Sequence, residues 1–353
     1  MAADTEAVLS AGVLATVLDV KWDAIVRREP LEYWAKQGCG LERVTSVRSA
    51  EVPPSAACVK YGSGLEREAL AQALLLNADV DAVPALIGCR QLPGGGVVVA
   101  TQWVAGRTPD FWTEADLLPV FTMVGRFAAE WAYRVQACLP GGTGLSRRTV
   151  PEFLEPAWKQ LLADVRDASW YCNRFVEHVT SVLECEDLLL TLGGSSAADA
   201  CREIIAAALR LARRICSAPL TLDPGDFADE NALLGMDGKA YLLDFDNVRI
   251  AAVVHWFESV GEDWSSQPAP SLVDGALRAF AAAWNATGLI PLDWEPFRAA
   301  HNALRVLRKC YELSYSLRDL AEGKGDDYDD VREFAQGCAR DLPGLLERAM
   351  ATL

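Results

Sequence analysis

Apolar residues change their spacing once along this chain, near residue 112, and the change separates two regions of different predicted structure. In the first, Val8, Val13, Leu14, Val17, Leu18 and Trp22 recur at helical spacing and predict a helix over 4–28. Strand-like runs follow. Val44 and Val47 belong to one, and Ala57, Cys58, Val59, Lys60 and Tyr61 to another, with Pro53-Pro54 and Gly62-Ser63-Gly64 as punctuation. Leu65, Ala69, Ala73 and Leu76 share one face of a predicted helix over 66–77. A short strand over 84–88, a turn at Gly94-Gly95-Gly96 and a buried strand over 97–103 complete the region.

Helical patterns dominate the second region, over 114–137, 151–191, 198–216, 271–287, 295–322 and 328–350. Gly193-Gly194-Ser195-Ser196 reads as a loop, and 323–330 as an acidic one. One β-like island interrupts the helices. Ala232-Leu233-Leu234 and Ala240-Tyr241-Leu242-Leu243 flank Asp237-Gly238, which is the signature of a hairpin turn. No internal repeat is visible. The expected fold class is α+β in two lobes, a small β-rich one over 1–104 and a large helical one over 105–353.

Composition narrows the function classes. A length of 353 residues suits two domains or two lobes with a sizeable core. Lys and Arg number 33 against 49 Asp and Glu, a formal charge of −16. A phosphate-backbone binder needs a basic surface, so a nucleic-acid partner is not expected. The acidic surface suits a cationic small substrate, or serves only solubility. The ten cysteines include no C-x-x-C pair, which argues against a zinc cluster. The start of the chain shows no secretory signal, and no uncharged run reaches the ~18 residues of a membrane span. A cytoplasmic protein with reduced thiols and no membrane association is the expectation.

Chemistry-bearing residues cluster around the hairpin. Leu222-Asp223-Pro224-Gly225-Asp226-Phe227-Ala228-Asp229-Glu230-Asn231 leads into it, and it returns at Leu243-Asp244-Phe245-Asp246. Asn231 follows Asp226 by five residues and Asp244 follows it by eighteen. The pattern resembles that of the aminoglycoside phosphotransferase and choline kinase group, H-G-D-x-x-x-x-N, a hairpin, then I-D-[FWY]-[DE]. The resemblance implies a protein-kinase-like fold, ATP and Mg²⁺ as cofactors, and phosphoryl transfer to a hydroxyl. It casts Asp226 as the base that orients the hydroxyl, and Asn231 and Asp244 as Mg²⁺ ligands. The residue types suit that chemistry. Phosphoryl transfer needs positioning and charge neutralisation, and Mg²⁺ takes hard oxygen ligands. The group's His is Pro224 here, which fixes φ but donates no hydrogen bond.

The same resemblance makes Lys60, on a predicted strand, the phosphate-gripping lysine, with Glu68 as its helix partner or Glu66 as the alternative. Gln37-Gly38-Cys39-Gly40 falls where a phosphate-covering hairpin belongs, though an ordinary turn fits it nearly as well. Gln102, Trp103 and Val104 fall in the stretch whose backbone meets the adenine edge; Trp103 fits a core position equally. For the acceptor, the helical region after Asp244 offers His255, Trp256, Glu258, Glu262, Asp263 and Trp264, of which Trp256, Glu258 and Asp263 are the candidates for a cationic substrate; for any one of them, helix packing by the tryptophans and solvation of the acids is the stronger reading. His178 and His301 read as packing or surface residues. The acidic run Asp326-Asp327-Tyr328-Asp329-Asp330 suits a cation or a basic peptide, or is simply solvated. Three readings stand: a kinase for an aminoglycoside-like or amino-sugar metabolite, a Ser/Thr kinase for a peptide in natural-product biosynthesis, and a nucleotide-binding pseudokinase. Lys60, Asp226, Asn231 and Asp244 together weigh against the third. The oligomeric state is not legible in the sequence.

Overall fold

A computed structural model of the chain describes residues 9–21, 24–31, 39–47, 55–75, 82–93, 95–138, 151–245, 247–258, 270–323 and 328–351. In chain order its elements are α1 (Ala11–Val17), β1 (Ile25–Pro30), β2 (Gly40–Ser46), β3 (Ser55–Gly62), α2 (Glu66–Leu75), β4 (Leu86–Gln91), β5 (Val97–Gln102), β6 (Gly106–Arg107), α3 (Glu114–Cys138), α4 (Glu155–Ala163), α5 (Ala168–Glu184) and α6 (Glu186–Ile215). Then come β7 (Leu220–Asp223), β8 (Ala232–Gly235), β9 (Ala240–Leu242), β10 (Arg249–Ala252), α7 (Pro270–Ala286), α8 (Trp294–Glu322) and α9 (Tyr328–Met350). The fold class is α+β, as expected. The chain forms two compact units, one of residues 1–109, 137–164 and 224–249, the other of 110–136, 165–223 and 250–353.

The first unit is built on a five-stranded antiparallel sheet in the order β1-β2-β3-β5-β4. Side chains alternate across it. Val44, Ala57, Val59, Val98 and Ala100 form one buried face, packed with Leu14 and Val17 of α1 and with Leu18 just after it. Lys60 stands opposite Leu41 and Val99, and so belongs to the other face. A second, three-stranded sheet in the order β6-β8-β9 holds the expected hairpin. Its turn is closed by Gly238 N–H to the Gly235 carbonyl at 2.9 Å, and by Tyr241 Oη donating to Asp237 at 2.6 Å.

Three expectations need correction. The helix predicted over 4–28 is described only as α1, and residues 25–28 lie in β1. Asp19 takes a left-handed φ of 52°, which ends the helical course. Ile25 and Val26 are β-branched, and Arg28 gains a partner in the sheet: its Nε and Nη2 meet the Glu42 carboxylate at 2.6 and 2.5 Å. Burial pushes Glu42 up, but hydrogen bonds from Arg28 and Tyr61 outweigh it and hold the carboxyl below its usual range. The second correction concerns 151–191, which is no single helix. It divides into a short 3₁₀ turn at Glu152–Leu154, α4, α5 and the start of α6. Asp167 caps α5, accepting from Trp170 N–H at 2.8 Å. Gly193 and Gly194 also form no loop. Gly194 alone leaves helical geometry, at φ 71°, and a Cβ at Gly193 would press on Ala339 and Ala197 within 2.8 Å. Glycine there lets α6 and α9 approach.

In the second unit α5, α6, α8 and α9 pack on one another, and an aromatic cluster fills its other part. Phe257 stacks on Phe121 at 4.7 Å and meets Phe280 and Phe297 edge-on. Thr221 Oγ1 ties β7 to the Ala128 carbonyl of α3 at 2.9 Å. The helices expected over 271–287, 295–322 and 328–350 are α7, α8 and α9. Among the described residues nine cysteines are free, three buried and six half-buried, and no helix is long and apolar enough to cross a membrane.

His301 yields a test of this packing. It is buried on α8, edge-on to Phe257, and burial, with Arg305 and Arg298 nearby, lowers its pKa from 6.5 to about 3. The unfolded chain binds a proton there near pH 6.5, whereas the folded chain stays neutral. Stability from this residue is therefore complete above pH 6.5 and is lost as pH falls toward 3. At pH 5 the loss is about 2 kcal/mol. In urea denaturation at about pH 7.5 and about pH 5, the native chain should lose about 2 kcal/mol more than His301→Gln. Equal losses would exclude His301 as the source.

Candidate active site

Strand alternation sets the direction of Lys60. Its Nζ donates to Glu68 Oε2 at 3.1 Å and lies 3.4 Å from Asp244 Oδ1. The Lys60 side chain is 13 % exposed and that of Glu68 3 %, so the pair is largely removed from water. A partner lost from a buried pair of this kind costs about 3–5 kcal/mol. Helix geometry separates the two candidate glutamates. Glu68 shares the buried face of α2 with Leu65, Ala69 and Gln72, whereas Glu66 is turned about 200° away and is half-buried. α2 lies against α4, and Arg67 forms an ion pair with Asp164 just beyond it. The same neighbourhood acts on the cysteines facing α2. Burial, with Lys60 lowering and Glu68 raising, pushes the Cys58 thiol up to about 11, and burial pushes Cys89 up to about 12.

Asp244 arrives through the hairpin. After β7, Pro224 is buried and Gly225 turns at φ 88°. The Asp226 side chain is exposed, while Phe227 is buried and anchors the loop. Asn231 closes the loop on itself, donating from Nδ2 to the Asp226 carbonyl at 2.8 Å. That bond fixes the amide with Oδ1 as the remaining acceptor. Leu243 N–H returns to the Asn231 carbonyl at 3.0 Å, and Leu242 N–H to the Ala82 carbonyl at 2.9 Å. These bonds bring Asp244 back beside Asn231, and buried Phe245 secures it.

At the end of β5 the amides of Gln102 and Trp103 are already used, by the Ala85 and Ala56 carbonyls at 2.8 and 3.0 Å. Among the described residues the Val104 amide makes no such bond. Trp103 is half-buried, beneath the Arg43 guanidinium at 4.7 Å.

The acceptor candidates fare differently. Trp256 is fully buried, edge-on to Phe127 at 5.6 Å, so it offers no face to a substrate; it is a core residue of the second unit. Its burial depends on tertiary packing that no local pattern displays. Glu258 is half-buried and accepts from His255 Nδ1 at 2.8 Å, while His255 Nε2 meets Tyr171 Oη at 2.6 Å. Asp263, with Glu262 and Trp264, lies outside the described residues, as do Gln37, Gly38, Asp246, Asp326 and Asp327. Among the described residues no three His, Cys, Asp or Glu side chains form a metal cluster. The oxygens of Asn231 and Asp244 still fit Mg²⁺, which commonly takes one or two protein carboxylates and completes its shell with phosphates and water.

Comparison with solved structures agrees with this architecture. Spectinomycin phosphotransferase in complex with ADP and spectinomycin matches over 97 % of both chains, with a TM-score of 0.50 and 14 % identity. An aminoglycoside phosphotransferase from Alicyclobacillus acidocaldarius matches over 96 % of both, at 0.55 and 13 %. Choline kinase from Cryptosporidium parvum matches over 97 % of this chain and 94 % of its own, at 0.53 and 12 %. No protein-family model matches the chain, and no curated protein matches its sequence. The chain thus has the protein-kinase-like fold of these enzymes, in agreement with the resemblance read from its motifs.

Gly225 tests the loop geometry. A Cβ there would strike the Asn247 carbonyl, at a φ that side chains rarely adopt. Gly225→Ala should cost about 2 kcal/mol in chemical denaturation. An unchanged midpoint would mean that the loop does not need this turn.

Proposed function

We propose that this chain is a Mg²⁺-dependent phosphotransferase that moves the γ-phosphoryl group of ATP to a hydroxyl of a small molecule. The reading is carried by one observation: the Lys60 ammonium sits between the carboxylates of Glu68 and Asp244. Lys60 would grip phosphate oxygens, with Glu68 keeping the long side chain aimed. Asn231 Oδ1 and the Asp244 carboxylate would hold Mg²⁺, which when bound neutralises phosphate charge. Asp226 is exposed, on a loop whose backbone is held by the Asn231 bond to its carbonyl, and its carboxylate would meet an incoming hydroxyl, orient it and take its proton.

The small-molecule reading draws support from a fold shared with enzymes for aminoglycosides and choline. The net charge of −16 favours a cationic acceptor, for which Glu258 and Asp263 are the proposed carboxylates. Pro224, standing where the similar enzymes have His, leaves loop closure to backbone turns and the Asn231–Asp226 bond.

A mass-shift screen tests this reading. The protein is incubated with Mg-ATP and aminoglycosides, amino sugars, choline-like amines and Ser/Thr peptides. A small molecule should gain one phosphoryl group, and Asp226→Ala should slow that transfer at least about 100-fold. Transfer to peptides alone would favour the peptide-kinase reading, and full turnover by Asp226→Ala would remove Asp226 as the base.

A further inference from the structure

Asp19 breaks three local preferences at once. It follows α1 and holds a left-handed φ of 52°, at a helix end of the kind that ordinarily takes glycine, with Val20 N–H reaching back to the Ala15 carbonyl at 3.0 Å. Its carboxylate stands at the carboxyl end of the helix, where negative charge is unfavourable. Among the described residues it makes no hydrogen bond or ion pair that would offset either cost. A side chain that costs stability locally and gains no partner points to a role outside the packing. Asp19 lines a cavity of about 460 Å³, within the range of small-molecule sites, together with Thr16, Ile87, Gly88, Arg90 and Phe153. Gly88 lets α1 settle against β4, because a Cβ there would strike the Val17 carbonyl oxygen. Ile87 is the extra residue of a β-bulge: Leu86 pairs with Thr101, and Gly88 already with the adjacent Ala100. Arg90 stands opposite Val98, on the α1 face of the sheet, and it too makes no hydrogen bond or ion pair among the described residues.

We infer that this cavity is a binding site for a zwitterion, an α-amino acid with an apolar side chain, whose ammonium meets Asp19 and whose carboxylate meets Arg90. The two charges are opposite and share the cavity without neutralising each other. A ligand carrying both charges gains two charge-assisted bonds that the protein does not make internally. A simple anion would be repelled by Asp19 and a simple cation by Arg90, so the pair selects against either alone. Ile87 and half-buried Phe153 supply the apolar contact that favours a large side chain over none. Asp19 and Arg90 are exposed, so entry needs no opening of the fold. Arg90 lies on the face of the sheet opposite Lys60, so this inference stands apart from the phosphotransferase reading, and either can fail without the other.

Calorimetric titration of the full chain with leucine and phenylalanine, and with N-acetyl-leucine and leucinamide, tests the site. The native chain should bind at least one of the two amino acids with a Kd below about 1 mM, and each blocked form, which lacks one charge, at least about tenfold more weakly. Arg90→Gln should bring leucine down to the level of leucinamide, because the carboxylate no longer has a partner. Asp19→Gly separates binding from folding. It removes the carboxylate and relieves both the φ and the charge at the helix end, so it should raise the urea midpoint while bringing leucine down to the level of N-acetyl-leucine. A native chain that binds neither amino acid, equal affinity for leucine and its blocked forms, or full leucine affinity in Asp19→Gly overturns the site. A lowered midpoint in Asp19→Gly overturns it as well, since the carboxylate would then serve the packing.

Discussion

One ammonium group organises the first unit. Lys60 Nζ draws in Glu68 from the helix that follows its strand, and Asp244 from the far side of a distant hairpin. Two carboxylates brought this close repel each other unless a cation lies between them, and all three groups have given up most of their water. Such an arrangement is tolerable only where geometry is held firmly. The surrounding structure supplies that: α2 rests on α4 and is tied by Arg67 to Asp164, while the hairpin is fixed through Leu242 to Ala82 and Leu243 to Asn231. A phosphate entering beside Lys60 would meet a cation already aimed, with little ordering left to do.

The legible part of this site is the part written in short-range periodicity. The spacing of Asp226, Asn231 and Asp244 around a D-G hairpin is visible without coordinates, and so is a lysine on a strand before an acidic helix. Glu68 is the partner named from sequence, with Glu66 as the alternative; the direction of Lys60, which pairing with β2 and β5 sets across the sheet, decides for Glu68. Residues 25–28 were misread because strand β1 depends on register with β2 and on the Arg28–Glu42 contact, neither of which is local. The α5–α6 break at Cys185 carries no glycine or proline to announce it. Trp256 admits both an acceptor role and helix packing in sequence; the fold makes it core, because burial is decided by elements far along the chain.

The fold alone decides less than the site does. Protein-kinase-like folds host several acceptors, so the functional argument has to stand on particular side chains. The chain matches these solved structures over 96–97 % of its length at 12–14 % identity, and no family model matches it.

The central claim is that Lys60, Asn231 and Asp244 form a site for a nucleotide and its metal. Calorimetric titration of ATP with and without Mg²⁺, on the native chain and on Asp244→Ala, tests it most directly. The account predicts that Mg²⁺ tightens ATP binding at least about tenfold in the native chain and leaves the variant unaffected. A native chain that binds no ATP, or a Mg²⁺ effect that survives intact in Asp244→Ala, would contradict it.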